Sequence, residues 1–124
     1  MKFLLSRFIK YLEKTTDEQW QLDKVGEPEM KKWCVMGHLF CWAAGKEKDE
    51  KRANRIWNYF EGAIATTYMI YPVNDGKNSN YPQATPKERC IAYLKNLRDD
   101  KEKTTIDHWN DYDKLAPKLS KKEF

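Results

Sequence analysis

The sequence predicts a mainly α-helical, single compact domain of four or five helices packed around one buried helix at about residues 30–44. Three observations predict it. From Met30 to Ala44 the chain is apolar nearly all round, with Trp33, Cys34, Val35, Met36, Leu39, Phe40, Cys41 and Trp42 close together, a pattern that belongs to a helix enclosed by others. The segments on either side repeat apolar residues at helical spacing. The length, 124 residues, is that of one ordinary domain. Residues 1–117 read as that domain and 118–124 as a basic C-terminal tail.

The first element is an amphipathic helix over about residues 2–14, in which Phe3, Leu4, Phe8, Ile9, Tyr11 and Leu12 share a face. Arg7 and Lys10 cut its apolar run short of an export signal, so the expected location is the cytosol. Thr15-Thr16-Asp17-Glu18-Gln19 supplies N-cap chemistry for a short turn carrying Trp20, and Val25-Gly26-Glu27-Pro28 is a turn signal. The central helix follows, with Gly45 placed to end it. A charged helix starts near Lys48 and turns Ala53, Ile56, Trp57, Phe60 and Ile64 inward. Residues 65–71 are β-branched and aromatic, which leaves a continued helix and a short strand both open, with Pro72 expected to stop either one. Residues 72–84 read as a long irregular stretch rich in turn formers. Thr85-Pro86-Lys87-Glu88 then opens a helix carrying Cys90, Ile91, Leu94 and Leu97 inward to about Asp99. A weaker segment around Ile106, His108, Trp109 and Tyr112 closes the chain.

Composition narrows the class. Leu, Ile, Val and Phe make up only about 19%, but an aromatic share of 14% supplies the buried area that the aliphatics lack. Lys and Arg number 23 against 19 Asp and Glu, and the signs alternate between Lys46 and Arg55 as on a solvated helix face. The net charge of +4 is too even for a typical nucleic-acid binder. Nucleic acid therefore stays an alternative, resting on the basic tail and the aromatics. Three cysteines at irregular spacing give no disulfide framework, and no apolar run predicts a membrane span.

Two constellations could carry chemistry. Cys34, His38 and Cys41 fall within about 60° of one another on a helix, a partial zinc shell or a thiol–imidazole pair. A small hydrolase-like enzyme using Cys34 and His38, or carboxylates near the 72–84 loop, is one alternative. The surroundings are apolar, so these side chains read as interior scaffold, with no catalytic residue, metal or cofactor assigned. The second constellation is the polar loop at Asn74-Asp75-Gly76. With Tyr68, Tyr71, Tyr81 and Trp57 as stacking surfaces and Arg55 as a cation, Asn74 and Asp75 would form a ligand pocket, with a homodimer interface as one setting for it.

Trp33-Cys34-x-x-Gly37-His38, followed some thirty-five residues on by Asn74-Asp75 and then a capped helix with Arg89, Ile91 and Leu94, resembles an uncharacterised domain family of phages, prophages and many bacteria. The resemblance covers roughly residues 3–98. It implies a setting and not a mechanism, a small accessory protein of a phage or mobile element in the cytosol of its host, and the function expected there is non-enzymatic binding in counter-defence. Its partner would be a host protein or a small nucleotide messenger. Gly37 inside the apolar helix suggests a close helix crossing, with Trp33 and the Asn74-Asp75 loop as expected neighbours and Asn74 or Asp75 satisfying a buried donor such as Trp33 or His38.

Overall fold

The computed structural model describes residues 2–22, 26–27, 32–63, 67–99 and 101. Among these are five α-helices: α1 (Lys2–Glu13), α2 (Val35–Ala44), α3 (Glu50–Ala63), α4 (Thr67–Asn74) and α5 (Pro86–Arg98). A 3-10 turn at Asp17–Gln19 and a two-stranded antiparallel ladder, β1 (Gly26–Glu27) with β2 (Lys32–Trp33), link α1 to α2. The segment around Ile106, His108, Trp109 and Tyr112, the basic tail and Ile64 lie outside the described residues, as do the side chains of Phe60 and Tyr68.

Helix α2 packs against all four other helices, and α5 also packs along α1 and α4. The buried face of α1 is Leu5, Phe8, Ile9 and Leu12; α3 contributes Ala53 and Ile56, and α5 contributes Cys90, Tyr93, Leu94 and Leu97. Each set follows helical spacing, so burial of one stripe per helix is what holds these segments helical. At α5 the local signals agree as well: Thr85 Oγ1 accepts from the Glu88 amide at 3.1 Å and Pro86 opens the helix. Among the described residues no helix is long and apolar enough to cross a membrane.

Two boundaries differ from the sequence reading. The central helix begins at Val35, not near Met30, because Trp33 is drawn into the ladder. Its carbonyl accepts from the Gln21 amide at 2.9 Å, and Trp33 pairs with Gly26. A Cβ on residue 26 would collide with the Trp33 ring and would lie 2.8 Å from the Lys32 carbonyl oxygen, so glycine is needed there for close approach. The second difference is α4. The short strand considered at 65–71 is not formed, since 67–74 is helical and Pro72 sits inside the helix rather than ending it. Ile70, Val73 and Asn74 are all fully buried, spaced as one helical stripe. Burial of that stripe against α2 and α5 outweighs β propensity and the amide that proline lacks. The irregular stretch accordingly starts at Asp75, not at Pro72. Three hydrogen bonds close the helix end: Asp75 N donates to Tyr71 O, Gly76 N to Val73 O and Lys77 N to Pro72 O.

Candidate functional site

Helices α2 and α3 form a hairpin with a tight turn, and a cleft of about 750 Å³ opens along it. The turn is closed by Lys48 N donating to Gly45 O and Asp49 N donating to Ala44 O. Gly45 ends α2 at φ +70, where a side chain would be strained and would strike the Arg52 guanidinium. Arg52 Nε instead donates to the Ala43 carbonyl at 2.8 Å, capping α2 from α3. Asp49 Oδ1 accepts from the Arg52 amide at 3.1 Å and so starts α3. Lys48, at φ 52, is the non-glycine residue with positive φ among those described. That conformation costs a lysine roughly 1 kcal/mol, and it places Lys48 at the cleft.

The cleft walls are aromatic and apolar. Gly37, Phe40, Cys41 and Ala44 present one stripe of α2, and Trp57 faces them from α3 with Trp33 at the ladder end. The Phe40 and Trp57 rings meet edge-to-face, 6.4 Å between centroids at 69°. Phe40 is 36% exposed, unusual for so large an apolar side chain beside a core. Lys48, Glu50 and Asn54 supply the polar lining.

The reactive-looking side chains of α2 point to packing. Cys34 is buried, and burial pushes its thiol above the ordinary range despite the amides of Gly37 and Met36 nearby. Cys41 lines the cleft half-buried, and its thiol too is raised by burial. His38, 2% exposed, lies against the Trp20 ring at 4.4 Å, and its Nε2 donates to the Gln19 carbonyl at 2.9 Å. Its Nδ1 is buried without a hydrogen-bond partner, which fits a neutral ring. Among the described residues no group of three or more His, Cys, Asp or Glu is placed to hold a metal.

Burial draws the His38 pKa down from 6.5 to about 4. The unfolded chain therefore binds the extra proton across that window and the folded chain does not. Stability should fall by about 3 kcal/mol as pH drops from about 6.5 to about 4, and level off below. Urea unfolding across pH 4–7 checks this; a wild-type and a His38→Gln protein with identical pH profiles would contradict it.

Of the seven residues expected to form a loop pocket, the Tyr68 side chain lies outside the described residues and the other six are dispersed. Trp57 alone of them lines the cleft, and Arg55 is exposed on the same helix. Tyr71 and Asp75 are half-buried. Tyr81, 3% exposed, packs edge-on against Tyr93 at 5.4 Å and its hydroxyl accepts from Asn96. Asn74 is fully buried: its Oδ1 accepts from the Val35 amide at 3.0 Å, and its Nδ2 donates to Gln21 O and to Asp75 Oδ1. The donor it satisfies is thus the first amide of α2, not the Trp33 indole or His38 ring. The Asx turn in this region is made by Asn78, which accepts from the Asn80 amide. Sequence reasoning missed Phe40, Lys48 and Asn54. The spacing of Gly37, Phe40, Cys41 and Ala44 was a visible signal for a stripe, but an all-apolar helix gives no hint which stripe stays uncovered.

No family model matches the chain, and no curated protein or solved structure does so either. The α2–α3 cleft is therefore the feature on which function is argued.

Proposed function

We propose that the protein is a non-enzymatic accessory protein of a phage or mobile element that acts in counter-defence by holding a small nucleotide messenger in the α2–α3 cleft. The observation that carries this reading is the cleft itself. Its volume falls in the range of small-ligand sites, roughly 300–1,000 Å³, and such sites combine apolar walls with a few polar groups. Trp33, Phe40 and Trp57 offer the ring faces on which nucleobases stack. Binding rather than turnover is favoured because the Cys41 thiol is raised by its surroundings and His38 is committed to the Gln19 carbonyl, so the cleft lacks an activated nucleophile among the described residues.

The test is thermal unfolding with a panel of cyclic and linear nucleotides at micromolar concentration, followed by recovery of the ligand. A binder should gain several degrees and return the nucleotide chemically unchanged. Trp57→Ala should lose the gain while keeping its helical circular dichroism. A converted nucleotide would favour an enzyme. No response to the panel, with a protein retained in native mass spectrometry, would favour a host protein seated on the exposed Phe40 face instead.

A further inference from the structure

Resting on the reading of the α2–α3 cleft as a nucleotide site, we infer that it selects a nucleotide whose phosphate bears a single negative charge, as in a cyclic mononucleotide, over di- and triphosphates. Three polar side chains line the cleft: Lys48 on the turn, and Glu50 and Asn54 one helical turn apart on α3. Among the described residues none of the three makes a side-chain hydrogen bond or ion pair, so their capacity is unspent. Arg52 and Asp49 of the same hairpin are, by contrast, spent: Arg52 caps α2 and Asp49 starts α3.

The charges do not favour a polyanion. Among the described residues Lys48 is the one cation in the lining, and Glu50 stands two residues from it with the opposite sign. One anionic group can sit beside the ammonium and away from the carboxylate. Among the described residues a second or third phosphate finds no further cation in the lining, where the like-charged Glu50 carboxylate repels it. The exposed Lys46, Glu47 and Lys51 lie outside the lining and in water, where screening weakens them. The walls set the other half of the ligand. Trp33, Phe40 and Trp57 take a planar ring by its faces, and the Asn54 carboxamide has a donor and an acceptor for the edge of a base.

Isothermal titration of the full chain at physiological salt with adenosine, adenosine 3′,5′-cyclic monophosphate and ATP tests this. The cyclic mononucleotide is expected to bind about fivefold tighter than adenosine, the upper end of what an exposed charge pair gives, and ATP weakest. Lys48→Gln should erase the advantage over adenosine, and Glu50→Gln should tighten ATP severalfold. Both side chains are exposed, so neither substitution threatens the fold. Adenosine matching the cyclic mononucleotide, ATP binding tightest, or ATP indifferent to Glu50→Gln would overturn the selectivity and leave the nucleotide reading standing. Failure of all three probes and of the wider panel would take the nucleotide reading down with it.

Discussion

Arg89→Ala is expected to cost about 4–5 kcal/mol of stability. Arg89 is only 8% exposed, yet it lies on α5 with its guanidinium fully engaged. Nε donates to Val73 O at 2.9 Å, Nη2 to Asn74 O at 2.8 Å and Nη1 to Gln83 O at 2.9 Å. The first two acceptors are carbonyls at the end of α4, which have no partner within their own helix. One planar cation thus caps α4 and ties the following loop back onto α5. Hydrogen bonds from a charged donor contribute roughly 1.5–3 kcal/mol each, and truncation leaves the Asn74 carbonyl without its donor while Val73 O keeps only the 3.3 Å bond from Gly76 N. Gly76, at φ +76, lets the loop pass over the guanidinium: a Cβ there would lie 3.3 Å from Arg89 Cζ. Lysine supplies charge without the fork geometry, so Arg89→Lys should recover less than half the loss. Denaturant unfolding measures both, and an alanine variant within about 1.5 kcal/mol of wild type, by the scale of one such bond, would refute this account.

Asn74→Ala should cost about 3–4 kcal/mol, by leaving the Val35 amide and the Gln21 carbonyl without their partner in the interior. Asn74→Asp is the more informative substitution. Aspartate keeps an acceptor for Val35 N but turns a carboxylate oxygen toward Gln21 O and toward the Asp75 carboxylate, where the amide had donated. Burial and that neighbour would raise the folded-state pKa of the new carboxyl above its unfolded value. Its stability is then present in acid and lost as pH rises through the folded-state pKa. Measured as a difference from wild type at each pH, which removes the opposing His38 contribution, the defect of the Asn74→Asp protein should be smaller at about pH 4.5 than at about pH 7.5. A pH-independent difference would show that the amide donor is not what matters.

How far these features could be read in advance depended on whether their causes were local. The start of α5 was legible because Thr85, Pro86 and Glu88 carry it within four residues. Helix α1 was legible because Phe8, Ile9 and Leu12 recur at helical spacing, although Leu5, which is also buried, was not read on that face. The start of α2 was not, because Trp33 is decided by Gly26 and Gln21, partners on segments of their own. Helix α4 was obscured by its β-branched residues and Pro72, and only the helices that bury Ile70 and Val73 resolve it. Trp57 in the cleft was foreseen as a ring surface. Lys48 and Asn54 were hidden in a charged run that reads as solvated from end to end.

The bonds of Asn74 reach 39 residues back to Val35 and 53 back to Gln21. Contacts closing such long spans tend to form late on the way to the native state. Asn74 would then act after the rate-limiting crossing, as a latch more than as a seed. Stopped-flow mixing should find Asn74→Ala refolding at close to the wild-type rate and unfolding faster.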